Sequence, residues 1–199
     1  MIYLKEFSYE IIKDGECGSV FYFFMAEKIH INPIKNVELV LIYPYEWNHQ
    51  MTPWKYSGKG MEKTGGGDRF IESFMEIVDS SHKNKYIGGY SLGGLMAMYM
   101  AYKCSGFTGV ASVSGSMWYP FAISFFENNN IMPDIKRAYV SLGNKEALTK
   151  NTERATVLAN TERLVNILED RCEVVYEINE GGHFTDIVKR VEKSIIALT

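Results

Sequence analysis

The chain has 199 residues, 46% of them hydrophobic and 23% charged, with a formal net charge of −3. That length suits one domain with a sizeable core and leaves no room for a large cap. The slight acidity and the lack of any basic block speak against nucleic acid or an anionic membrane surface as the main partner, and no stretch approaches the ~18 apolar residues that span a bilayer.

Cys17, Cys104 and Cys172 are odd in number and widely spaced, so they read as reduced thiols rather than a disulfide framework or a metal site. The opening Met1-Ile2-Tyr3-Leu4-Lys5-Glu6 lacks the basic-then-apolar pattern of a secretory signal, which sets the expectation of a cytoplasmic protein.

Ile2 to Lys13 is rich in aromatic and branched residues, and Asp14-Gly15-Glu16-Cys17-Gly18 supplies turn chemistry before the apolar Ser19 to Ala26. The two stretches read as an antiparallel opening hairpin. Asn36 to Tyr43 is a nearly continuous apolar run, the mark of a strand covered on both faces and lying near the centre of a parallel sheet. Pro44 to Gly67 shows no clear period, and its Tyr45, Trp47, Trp54 and Tyr56 make disorder a poor explanation for so long a loop. It reads as a wall of a functional site, or else as an aromatic cover for the sheet edge. Asp68 is expected to cap a helix with Ile71, Phe74, Met75 and Val78 on its apolar stripe, ending near Ser80.

Lys85 to Tyr90 then leads through Gly-Tyr-Ser-Leu-Gly into a helix-forming run that continues through Leu95 to Cys104. Strand, sharp turn and helix with Ser91 at the apex make a nucleophile elbow, in which a Cβ at Gly89 or Gly93 would collide with a neighbouring element. The turn pushes the Ser91 hydroxyl out of the sheet and aims the Leu92 N–H at the space beside it, as an oxyanion donor requires. The second donor is expected just past the strand ending at Tyr43, from the amide of Tyr45 or Glu46.

Phe107 to Ser114 is the next strand. Ligands of an open parallel sheet bind beyond the carboxyl ends of its strands, so Trp118 and Tyr119 are expected to face the crevice together with Tyr90. Phe121 to Glu127 reads as a short helix, Arg137 to Leu142 as a strand, Thr149 to Asp170 as a helix, Glu173 to Ile178 as the last strand and Thr185 to Leu198 as a closing helix.

A serine hydroxyl near neutral pH needs a base within hydrogen-bond reach and a third group to orient that base. His30, His49 and His82 sit near a strand edge, in the aromatic loop and in a polar turn. Only His183 follows a strand through two glycines, a loop able to carry an imidazole over a neighbouring elbow. Glu146, just past a strand end and between Ser91 and His183, completes the order serine, acid, histidine. Asp186, in the first turn of the closing helix, and Asp134 are the rival acids.

Gly-Tyr-Ser-Leu-Gly-Gly, Ser-Val-Ser-Gly-Ser-Met-Trp, Leu-Gly-Asn-Lys-Glu and Gly-Gly-His-Phe, in that order from about Val37 to the C-terminus, resemble the esterases of the α/β-hydrolase superfamily, akin to the esterase D and enterochelin-esterase-like proteins. The resemblance implies Ser91 as nucleophile, His183 as base and Glu146 as acid. It departs at the oxyanion strand, where the His-Gly of many relatives is replaced by Pro44-Tyr45.

The expected fold is therefore an α/β-hydrolase: a mostly parallel sheet, antiparallel at its start, with helices on both faces and no separate cap. The expected reaction is hydrolysis of a small-molecule ester without metal or organic cofactor, with Tyr45, Trp47, Trp54, Tyr90, Trp118 and Tyr119 as candidate substrate contacts. An acyltransferase or thioesterase on the same elbow, or a binding module without catalysis, are the other readings.

Overall fold

The apolar run Ser19 to Phe24 lies inside the sheet. In the computed structural model, which describes residues 1–58, 60–82 and 84–199, strand β3 (Ser19–Phe24) is buried at all six positions. Its side chains divide by the two-residue period of a strand: Val20, Tyr22 and Phe24 join the core on one face of the sheet, Phe21 and Phe23 the core on the other. Strand β4 (Val37–Pro44) divides likewise, with Val40 and Ile42 on the first face and Leu39, Leu41 and Tyr43 on the second.

The remaining strands are β1 (Ile2–Tyr3), β2 (Phe7–Ile12), β5 (Asn84–Tyr90), β6 (Gly109–Val113), β7 (Arg137–Gly143) and β8 (Glu173–Asn179). They form one eight-stranded sheet in the order β1-β2-β4-β3-β5-β6-β7-β8. Strands β1 and β2 run antiparallel to their partners, and every pairing from β4 to β8 is parallel. The fold is that of an α/β-hydrolase.

The expected hairpin between Ile2–Lys13 and Ser19–Ala26 does not form. Strand β2 pairs antiparallel with β4, and β3 crosses over to lie parallel between β4 and β5. Burial explains the choice: β3 carries apolar groups on both faces and needs neighbours on both edges, whereas β2 keeps residues exposed and belongs near the rim.

Helices α2 (Gly67–Met75), α3 (Leu92–Lys103) and α5 (Val157–Glu169) contribute to the first core, α4 (Ala122–Asn128) packs beside them, and α6 (Ile187–Leu198) closes the second. Helix α3 is buried at every residue except Lys103, wedged between the sheet and the outer helices. The long loop contains one further turn, α1 (Trp47–Gln50). Within that loop, Lys59 lies outside the described residues. Among the described residues, no helix is long and apolar enough to cross a membrane.

Asp68 is not the cap of α2. Gly66 occupies that position, and the Asp68 carboxylate instead accepts the Tyr99 hydroxyl and the Lys103 ammonium of α3, each at 2.9 Å. An ionic partner across the helix pair wins over a local cap. The helix also ends earlier than expected, at Met75, so its buried stripe is Phe70, Ile71 and Phe74, with Met75 exposed and Val78 beyond the end.

Phe74 packs edge-on against Tyr22 at 5.4 Å and Phe24 at 5.2 Å between ring centroids, with no exposed surface. Replacing it by alanine should cost about 3–5 kcal/mol through lost transfer energy and the cavity left behind. Urea unfolding of Phe74→Ala against wild type measures this directly.

Candidate active site

Ser91 has φ 59° and ψ −122°, a conformation that non-glycine residues adopt only when the surroundings enforce it. Here the enforcement is the contact between the arms of the turn. A Cβ at Gly89 would sit 2.3 Å from the Gly93 carbonyl carbon and oxygen, and one at Gly93 would sit 2.7 Å from the Phe24 carbonyl oxygen. The Ser91 N–H donates to Val113 O at 3.1 Å, and its carbonyl accepts the Ser116 N–H at 3.0 Å, so the apex is also tied to the end of β6.

Three side chains meet beyond the carboxyl ends of the strands. His183 Nε2 lies 3.0 Å from Ser91 Oγ, and His183 Nδ1 lies 2.6 Å from Glu146 Oε2. Ser91 follows β5, Glu146 follows β7 and His183 follows β8, three loops that the strand order gathers at one rim. The imidazole is held from behind: the Tyr90 hydroxyl donates to His183 O at 2.6 Å, and the two rings stand 5.5 Å apart.

Glu146 is buried, with 4% of its side chain exposed, against 29% for His183. Burial pushes its pKa up, but hydrogen bonding and charge from His183, the Gly143 N–H and the Ser114 hydroxyl outweigh burial and hold the carboxyl below the usual glutamate value. Its Oε1 accepts from Gly143 N at 2.7 Å, Ser114 Oγ at 2.8 Å and Arg190 Nη1 at 3.2 Å. The rival acids lie elsewhere. Asp186 is the exposed residue before α6, with φ 52°, and Asp134 accepts the Gly106 N–H at 2.8 Å.

Ser91 and His183 open into a cavity of about 670 Å³, whose walls include Met25, Ala26, Trp47, Trp118, Val157 and Phe184. The Arg154 guanidinium lies 5.3 Å from the centre of the Trp118 ring. Tyr90 also lines the cavity. Trp54 and Tyr119 do not. The Trp54 indole donates to Pro120 O at 2.9 Å, and the buried Tyr119 hydroxyl donates to Trp54 O at 2.6 Å, so the pair braces the long loop against the segment after β6.

The expected second oxyanion donors are committed elsewhere. The Tyr45 N–H donates to Glu6 O at 3.2 Å and the Glu46 N–H to Gln50 Oε1 at 2.8 Å, and the Tyr45 side chain is 51% exposed outside the cavity. The reason is strand order: β3, not β4, adjoins β5, so the chain beside the elbow is the one leaving Phe24. Ala26 lines the cavity there, and its N–H has no hydrogen-bond partner among the described residues. The Leu92 N–H is the first of α3 and, like any first-turn amide, has no acceptor within its helix.

Sequence reasoning missed Ala26, Ser114, Ser116 and Arg190. Ser116 Oγ lies 3.4 Å from Ser91 Oγ. Arg190 alone carried a readable signal: with Ile187, Val191, Ser194, Ile195 and Leu198 it falls at i, i+3, i+4, i+7, i+8 and i+11, on the inward stripe of α6. A cation on that stripe demands a buried partner.

No family model matches the sequence. An uncharacterized protein of Bacillus subtilis, YbbA, is 30% identical over 150 residues, 67% of this chain; the match spans 60% of that protein's length. Among solved structures, an IroE-like serine hydrolase from Shewanella oneidensis superposes with a TM-score of 0.68 at 15% identity, covering 96% of this chain and 79% of that one. The siderophore hydrolase EstB from Aspergillus nidulans gives 0.68 at 15% identity, covering 98% and 95%. The enterochelin esterase from Shigella flexneri gives 0.66 at 15%, covering 96% of this chain and 53% of that one. These likenesses carry the fold.

Gly89→Ala should abolish the soluble folded protein, because its Cβ meets backbone that cannot move aside, whereas Gly182→Ala, with nothing within 4 Å of the new Cβ, should melt within a few degrees of wild type. Expression and thermal melts of the two variants check this. A depressed carboxyl also makes a signed contribution: Glu146 stabilises the fold above its unfolded pKa and loses that contribution as pH falls through its lower folded value. The stability advantage of wild type over Glu146→Gln should therefore shrink between neutral pH and pH ~3, read by urea unfolding at each pH.

Proposed function

We propose that the protein is a serine hydrolase that cleaves small acyl esters through an acyl-Ser91 intermediate. The single observation that carries the reading is the unbroken chain of contacts from Ser91 Oγ to His183 Nε2 at 3.0 Å and from His183 Nδ1 to Glu146 Oε2 at 2.6 Å, opening on a cavity. The likeness to a solved serine hydrolase, a siderophore hydrolase and an enterochelin esterase agrees with it.

In this mechanism His183 Nε2 takes the Ser91 proton as Oγ attacks the ester carbonyl, and Glu146 holds Nδ1–H and stabilises the imidazolium that results. The oxyanion would be met by the N–H of Leu92 and that of Ala26, one at the start of α3 and one on the chain leaving β3. His183 then protonates the leaving alcohol, and the acyl-enzyme is opened by water activated at the same nitrogen. Trp47 and Trp118 offer flat faces in the cavity, which fit an aryl or sugar group on the ester.

The test is intact-mass labelling with a fluorophosphonate, followed by p-nitrophenyl acetate turnover. Wild type should take one adduct and Ser91→Ala none, with turnover falling at least about 10⁴-fold while the thermal melt is kept. A Ser91→Ala protein that still turns over ester would overturn the proposal.

A further inference from the structure

Arg190 has 1% of its side chain exposed and ranks among the largest fully buried side chains. A guanidinium removed from water is tolerated only where fixed acceptors replace its hydration, so its partners are the informative fact. Each of them belongs to the constellation around Ser91. Nη1 reaches Glu146 Oε1 at 3.2 Å, Ser114 Oγ at 3.1 Å and the Tyr90 hydroxyl at 3.5 Å, and Nη2 donates to Glu180 O at 2.8 Å.

These contacts divide between the two halves of the relay. Glu146 and Ser114 are the acid and the hydroxyl that donates to it. Glu180 O lies on the loop that carries His183, and the Tyr90 hydroxyl is the group that holds His183 O. One rigid fork on α6 therefore spans the loop that follows β7 and the loop that follows β8. The geometry of Glu146 shows what the fork does. Its Oε1 is taken up by Gly143 N–H, Ser114 and Arg190, which leaves Oε2 turned to His183 Nδ1.

We infer that Arg190 is a positioning residue for the proposed reaction: it anchors Glu146 Oε1 to the histidine loop, so that Oε2 and the imidazole stay in register throughout the catalytic cycle. The inference rests on the triad reading proposed above. A lysine at this position keeps the positive charge but has a single nitrogen, which cannot reach Glu146 and Glu180 O from the two ends of a fork. Arg190→Lys therefore separates positioning from mere charge.

The experiment measures kcat and KM with p-nitrophenyl acetate for wild type, Arg190→Lys, Glu146→Gln and the double variant, each checked for folding by thermal melt. Arg190→Lys should lower kcat about tenfold while KM stays within about twofold, because the lost interaction orients catalytic groups rather than substrate. In the Glu146→Gln background the same lysine should change kcat less than about twofold, since the carboxylate it acts through is gone.

Equal losses in the two backgrounds, a rise in KM at constant kcat, or wild-type turnover by Arg190→Lys would each overturn the inference. Its failure is distinct from failure of the triad reading: if Glu146→Gln itself turns over like wild type, the acid assignment falls and Arg190 falls with it. If Glu146→Gln is crippled and the lysine variant is not, only the inference about Arg190 is lost.

Discussion

The approach of Gly89 to Gly93 is the constraint on which the rest of the site depends. With no Cβ on Gly89, the end of β5 and the first turn of α3 come together at backbone contact, and the residue at the apex is held at φ 59°. That one contact exposes Ser91 Oγ at the apex. It also seats α3 flush against the sheet, which is why the helix is buried almost end to end, and it brings the elbow against the carbonyl of Phe24 at the end of β3. The strain of the serine is stored in a turn that the surrounding core over-determines.

Four adjacent parallel strands then deliver the polar groups. Ser91 follows β5, Ser114 follows β6, Glu146 follows β7 and His183 follows β8, so their order along the rim is their order in the sheet. Neighbouring parallel strands lie about 4.8 Å apart, so groups raised from adjacent ends come close, while the loop after β8 reaches back over the rim to bring His183 to Ser91. The buried acid is surrounded by donors alone: an amide, a hydroxyl, an imidazole and a guanidinium. In surroundings of low polarity such a set holds the carboxylate charged and fixed in direction.

The aromatic loop between β4 and α2 has two jobs. Its Trp47 faces the cavity, while Trp54 turns away to pack with Tyr99, Tyr119 and Phe125 and to bond Pro120 O. Trp47 thus stands in the cavity wall, while Trp54 covers α3 and α4 rather than an edge of the sheet, whose outer strands are β1 and β8. Sequence cannot divide them, because tryptophans on a wall and in a brace have the same composition and no period tells them apart.

Local chemistry and the sheet's periodicity made much of the protein legible from its residues alone. Glycines on either side of a serine between a strand and a helix allow a tight strand-to-helix turn, the apolar runs Ser19–Phe24 and Val37–Pro44 lie inside the sheet, and Gly181-Gly182 before His183 allows a loop that reaches back over the rim; Glu146 stands just past the end of a strand. Which strands become neighbours was decided in three dimensions. The pairing of β3 with β5 and β4 depends on burying both faces and both edges of a strand at once, a property of the whole sheet, and it moved the chain beside the elbow from Tyr45 to Ala26. The partners of Arg190 come from segments up to 100 residues away, and only their meeting in a shared interior gives an odd cation on an apolar helix face the carboxylate of Glu146 as its partner.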